Sequence, residues 1–172
     1  MGGTKHRYLR VDNVLYIWCA GTYGWKEWAY NLDIRRRKRL GRRVNIRDYV
    51  AMTDLYDIIK KEDVITSECK VITCGFSRGG GIAQLLYLFL KQVYGIEVEV
   101  HLFASKRSVS KADDIKVQHN SATKGDVVPY LPFWPLYRLP TLEWVGPRQR
   151  MSLAHNEHAK LAARWRHNIT KQ

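Results

Sequence analysis

Cys69-Lys70-Val71-Ile72-Thr73-Cys74-Gly75-Phe76-Ser77-Arg78-Gly79-Gly80-Gly81 is the stretch on which the reading of the whole chain turns. Val71 to Cys74 is a short apolar run rich in β-branched residues, the composition of a buried strand. From Ile82 the chain is apolar on nearly every face, through Ala83, Leu85, Leu86, Leu88, Phe89 and Leu90, which predicts a helix buried in a core. Between them Gly75-Phe76-Ser77-Arg78-Gly79 fits G-x-S-x-G. A serine on so tight a strand-to-helix turn is held in a strained backbone conformation, and small residues two before and two after let strand and helix approach without clashing. The hydroxyl is lifted clear of the sheet. The helix N-terminus lies behind it, where the N–H of Arg78 can hold a developing oxyanion. A structural turn or a phosphate-cradling glycine loop would use similar residues; the strand before and the buried helix after favour a nucleophile.

The chain has 172 residues, which predicts a single domain over residues 1–172 with enough length to bury about 70% of the unfolded surface. The net charge is +13, so the surface attracts something anionic: a membrane surface, nucleic acid or an acidic partner. Cys19, Cys69 and Cys74 give no disulfide framework, and Cys19 and Cys74, in apolar strand-like runs, read as buried reduced thiols. The N-terminal residues lack the apolar run of a signal peptide, and position 6 is His6 where a myristoylation signal needs Ser or Thr. The longest apolar stretch, Gly79 to Leu90, is too short to span a bilayer. The expected location is the cytoplasm.

Outward from the serine, Val14 to Ala20 is a second buried-strand candidate, followed by a turn at Gly21-Thr22-Tyr23-Gly24. Trp25, Trp28 and Leu32 are at helical spacing. Arg47 to Lys61 reads as a helix with Tyr49, Met52, Leu55, Tyr56 and Ile59 along one stripe. Ile96 to Ala104 and Lys116 to Asn120 read as further strands. The alternation of strands and helices predicts an α/β fold with a mostly parallel central sheet flanked by helices. All five prolines fall between Pro129 and Pro147, interleaved with Tyr130, Phe133, Trp134, Tyr137 and Trp144. That segment is expected to be an ordered loop or flap, packed over the core or facing acyl chains. The charge block Arg35, Arg36, Arg37, Lys38, Arg39, Arg42 and Arg43 reads either as a solvated loop or as a phosphate-contacting, anionic-surface site.

A serine hydroxyl needs a base to take its proton, usually a histidine oriented by a carboxylate. In α/β hydrolases these follow in the order Ser, Asp or Glu, His. Downstream of Ser77 come Asp126, in Gly125-Asp126-Val127-Val128-Pro129, and then His155 and His158, in His155-Asn156-Glu157-His158. Asp113, Asp114 and Glu143 are less well placed acids. Either histidine can be the base. H-N-E-H is not the zinc motif H-E-x-x-H, and no metal or cofactor is expected.

With these residues in view, the chain resembles the class 3 lipases, a group of α/β hydrolases that includes fungal triacylglycerol lipases and plant phospholipases of the A1 type. Ala20-Gly21-Thr22 with Trp28 and Asn31-Leu32 resembles their oxyanion segment. Val71 to Ala83 is similar to V-x-G-H-S-L-G-G-A-x-A. Phe103 to Ser108 resembles F-G-x-P-R-V-G. Asn120 with Gly125 to Pro132 is close to N-x-x-D-x-V-P-x-L-P, and His155 falls where H-x-x-Y is expected. The resemblance implies a compact α/β-hydrolase domain with Ser77 as nucleophile, Asp126 as orienting acid, His155 as base, and Thr22 and the Arg78 N–H as the oxyanion hole. It implies a lipid or ester substrate.

Several positions depart from the family. Phe76 and Arg78 stand where His and Leu are usual, Ala20 replaces an Arg, and His158 replaces a Tyr. Arg78 is expected to set a cation beside the oxyanion site and either favour an anionic substrate or change the pocket's mouth. The short chain leaves little room for a lid, so short-chain esters or phospholipids fit better than bulk fat. The rival reading is a catalytically weak scaffold that binds nucleic acid or anionic lipid through its basic surface, with salt-sensitive affinity.

Overall fold

The computed structural model describes residues 6–22, 33–66, 68–132 and 141–169. Eight strands and three helices fall among them: β1 His6–Val11, β2 Val14–Cys19, β3 Arg36–Arg39, β4 Arg42–Asn45, α1 Ile46–Lys61, β5 Lys70–Phe76, α2 Arg78–Tyr94, β6 Val98–Phe103, β7 His119–Thr123, β8 Glu143–Val145 and α3 Met151–Ile169. The central sheet has the order β1-β2-β5-β6-β7-β8. β1 is antiparallel to β2; every other neighbouring pair is parallel. This is the mostly parallel α/β sheet that the alternation of elements predicts, in the α/β-hydrolase architecture that the resemblance implies.

The two faces of the sheet are covered differently. β2 alternates strictly, with Leu15, Ile17 and Cys19 buried in the larger core. There they join Met52, Leu55 and Ile59 from α1 and Ile82, Leu85 and Leu86 from α2. α2 is buried from Arg78 through Leu88, as its continuous apolar pattern requires. The opposite face carries Trp18, Cys74, Phe76 and Phe103 against Ala162 of α3. Burial pushes the thiols of Cys19, to about 12, and Cys74 well up, which keeps both protonated and unreactive.

Three expectations are corrected, and one strand that was not expected is added. Arg35 to Arg43 is not a plain loop: Arg36–Arg39 and Arg42–Asn45 form an antiparallel hairpin, turned by Leu40 and Gly41, both at positive φ. The strand expected at Lys116 to Asn120 lies later, at His119–Thr123, where the register with β6 pairs His101 with His119. β1 carries an arginine-rich sequence that hides its role as an edge strand. Glu143–Val145, inside the proline-rich segment, adds an edge strand to β7, which proline permits at an edge and not at the centre. The helix suggested by Trp25 to Leu32 and most of the aromatic flap lie outside the described residues. No helix among the described residues is long and apolar enough to cross a membrane.

Candidate active site

Because β2, β5, β6 and β7 are parallel, their C-terminal ends open onto one edge of the sheet. Crevices at such edges are where open α/β sheets bind ligands. Thr22 follows β2, Ser77 follows β5, and Asp126 follows β7.

Ser77 links β5 to α2 with φ 56° and ψ −122°, a conformation that costs a non-glycine residue of order 1–3 kcal/mol. The neighbouring glycines make it attainable. A Cβ on Gly79 would lie 2.0 Å from the carbonyl oxygen of Cys19, and one on Gly75 would lie 2.4 Å from that of Gly79. The turn is fixed by backbone hydrogen bonds. Ser77 donates its N–H to the Phe103 carbonyl (3.0 Å), and its own carbonyl accepts from Gly80 (3.1 Å) and Lys106 (3.0 Å). Its hydroxyl makes no capping bond to α2, although the residue occupies the N-cap position. Serine at an N-cap normally spends its oxygen on the helix; Ser77 departs from that pattern.

Asp126 is nearly fully buried and held by the turn that follows β7. Its N–H donates to Thr123 (3.0 Å), and its Oδ1 accepts from the Val128 N–H (2.9 Å). Oδ2 meets Nδ1 of His155 at 2.8 Å. The His155 ring also lies against Phe76, with centroids 4.6 Å apart, so the imidazole rests on the residue directly before Ser77. Phe76, which stands where the resembling family has histidine, thus serves as a platform for the ring. His158 is on the same helix, but its side chain lies outside the described ones.

On the other side of the elbow, a Cβ on Gly21 would lie 3.1 Å from the Ser77 Cβ. The strand exit that carries Thr22 therefore abuts Ser77. Arg78 is the first residue of α2, a position whose N–H finds no carbonyl within its own helix. Its side chain overturns the expectation of a cation at the site mouth. The guanidinium turns inward, 8% exposed, and pairs through Nε with Oδ1 of Asp48 at 3.0 Å.

No family model matches the sequence, and no curated protein matches it. Solved structures do. A lipase from Rhizopus microsporus var. chinensis superposes with TM-score 0.65 at 19% identity, covering 86% of this chain and 60% of that one. The mono- and diacylglycerol lipase from Aspergillus oryzae gives TM-score 0.64 at 17% identity over 80% and 56%. The Rhizomucor miehei triacylglyceride lipase gives 0.63 at 18% over 83% and 62%. The fold is that of the fungal class 3 lipases. The chain spans about three-fifths of the length of these solved lipases.

Within this lipase fold the basic block divides into two groups. Arg35 pairs with Asp33 (2.7 Å) and Arg42 with Asp114 (2.6 Å); Arg36 is half-buried. Arg37, Lys38, Arg39 and Arg43 are exposed and have no carboxylate partner among the described residues. Asp114 is therefore an ion-pair partner of the hairpin and not a candidate for the site. Asp48, Ser108 and Lys106 escape a reading that follows catalytic motifs alone. One signal was present for Asp48: it sits on the apolar stripe of α1, in step with Met52, Leu55 and Ile59, where an acid has to find an internal partner.

Proposed function

We propose that the protein is a serine hydrolase that cleaves carboxylic esters of lipids through an acyl-serine intermediate. The observation that carries this reading is the strained Ser77 at the β5–α2 turn, together with a His155 ring that is held by Asp126 and rests on Phe76, the residue before Ser77. With Nδ1 engaged by Asp126, Nε2 of His155 takes the Ser77 proton as Oγ attacks the ester carbonyl carbon. The carbonyl π electrons move onto oxygen, and the tetrahedral oxyanion is held by the Arg78 N–H and Thr22. Collapse breaks the bond to the alcohol, which leaves with the proton from His155. Water then attacks the acyl-serine by the same route, releasing the acid and restoring Ser77. None of these steps calls on a metal or organic cofactor.

The similarity to mono-, di- and triacylglycerol lipases supports an acyl-ester substrate class. The exposed cations of the hairpin support work at an anionic lipid surface, with phospholipids among the substrates. Ser77→Ala tests the reading. Ester turnover is expected to vanish while circular dichroism and the unfolding transition stay unchanged. Turnover retained in the folded variant would overturn it.

A further inference from the structure

A buried charge cluster lies directly beneath the elbow. Asp48, fully buried, is in the first turn of α1, where Oδ1 of the N-cap residue Asn45 accepts from the Arg47 and Asp48 N–H groups. The helix N-terminus favours a carboxylate there. Oδ1 of Asp48 accepts from Nε of Arg78 (3.0 Å). Oδ2 pairs with Nζ of Lys106 (2.9 Å) and accepts from Oγ of Ser108 (2.7 Å). Lys106 is itself fully buried.

Both cations belong to residues that hold Ser77. Arg78 follows it in the chain, so its N–H is part of the Ser77–Arg78 peptide. Lys106 donates its backbone N–H to the Ser77 carbonyl, which belongs to that same peptide. One carboxylate thus ties together two of the residues that hold this peptide, alongside Gly80. Arg78 has a further reason to need it, because a cation at a helix N-terminus opposes the helix dipole. Gly80 and Gly81 leave room for the arrangement: a Cβ on Gly81 would lie 2.0 Å from the Ser108 hydroxyl, and one on Gly80 would lie 2.3 Å from that of Ser105.

We propose that Asp48 is a positioning residue for the nucleophile, fixing the Ser77–Arg78 peptide by gripping Arg78 on one carboxylate oxygen and Lys106 on the other. The inference rests on Ser77 being the nucleophile. A strained peptide is held only where its surroundings over-determine it, and the ion cluster supplies part of that constraint. Loosening it lets the peptide relax, which misaims the hydroxyl and withdraws the Arg78 N–H from the oxyanion. Ground-state binding of the ester is left largely intact.

The test uses Asp48→Asn and the double variant Asp48→Asn/Lys106→Met. The second removes one buried cation along with the carboxylate charge and so restores the charge balance if the single variant fails to fold. Turnover of a small activated ester and the rate of Ser77 modification by a fluorophosphonate are measured on folded protein. The expected result is a fall in kcat of at least about tenfold in both variants, as misplacing reacting groups produces. KM stays within about twofold, the modification rate falls in parallel, and the pH profile of kcat keeps its midpoint. Wild-type kcat and modification rate in folded double variant would overturn the proposal and leave Asp48 a purely structural partner of Arg78. A wild-type protein that is not modified at Ser77 would instead overturn the nucleophile itself.

Discussion

Nδ1 of His155 lies 2.8 Å from Oδ2 of Asp126, joining the first half of α3 to the loop after β7. The Asp126 side chain is fully buried and that of His155 is 13% exposed, so the pair is shielded from competing water. The contact fixes which ring nitrogen faces the aspartate, and in the proposed mechanism the other one moves the proton. Asp126→Asn keeps the shape but offers an amide in place of the acceptor, favouring the wrong tautomer. Its kcat is expected to fall by about 10³–10⁴-fold, with the unfolding midpoint little changed. Steady-state hydrolysis of a small activated ester checks this, and a fall below tenfold would remove Asp126 from the mechanism.

The elbow depends on glycine at one point more than any other. A side chain at Gly79 would drive into the backbone carbonyls of Cys19 and Ala20, at 2.0 and 2.5 Å, and backbone cannot swing aside as a side chain can. Gly79→Ala is expected to cost about 3 kcal/mol of stability. Gly95→Ala, at φ +65° with open space around it, is expected to cost about 1 kcal/mol. Urea unfolding of the two variants orders them; equal midpoints would contradict the close approach of β2 to α2.

Stability is expected to fall on acidification, first through the histidine range. Burial lowers the pKa of His6 and of His101, so the unfolded chain takes up protons near pH 6.5 that the folded one still refuses. Full stability therefore stands above that value and declines as pH drops below it. Asp33 adds a second loss at lower pH. Hydrogen bonds from Arg35, and then Arg47, hold its carboxyl well below the usual range. Its contribution is present above the ordinary carboxylate pKa and disappears as pH falls through the folded one. Thermal midpoints measured from neutral to acidic pH check the sign, and a midpoint that rises on acidification would contradict it.

In the β3–β4 hairpin Lys38 lies directly opposite Arg43, a like-charge pair that costs stability. An anionic surface relieves that repulsion. Replacing Arg37, Lys38, Arg39 and Arg43 together by alanine is expected to weaken binding to phosphatidylglycerol-containing vesicles by more than about 100-fold, at about 1 kcal/mol per basic residue. The unfolding midpoint should hold or rise. Arg35→Ala should change binding little, because Asp33 already neutralises that guanidinium. Co-sedimentation at low and high salt checks both. Undiminished binding in the fourfold variant would show that the hairpin is only a solvated face, and salt-sensitive binding to DNA or RNA in place of vesicles would favour the nucleic-acid alternative.

Where sequence and structure agree, local pattern and tertiary demand coincide. Ser77 is legible because its strand, its glycines and its buried helix are all contiguous. Chain order singles out Asp126 and leaves two histidines open; the contact between Asp126 and His155 is a product of the fold. His119–Thr123 is a strand made largely of polar residues, buried under α3 and paired on both sides, so no hydrophobic period marks it. The hairpin at Arg36 to Asn45 is hidden by its charge, since Val44 supplies almost the only apolar residue facing inward. The place of Arg78 beside Ser77 in the chain suggests a side chain at the site, whereas its direction is set by Asp48, thirty residues earlier. Buried ion partners far apart in sequence leave only a faint trace, here one acid on an apolar stripe.

The central claim is that Ser77 is an activated nucleophile, and a serine-reactive fluorophosphonate tests it most directly. The folded protein is incubated with the probe, digested, and the adduct located by peptide mass spectrometry. A single adduct on Ser77, lost in His155→Ala and retained in His158→Ala, is the predicted result. Folded protein that carries no adduct on Ser77, or an adduct that survives in His155→Ala, would contradict it.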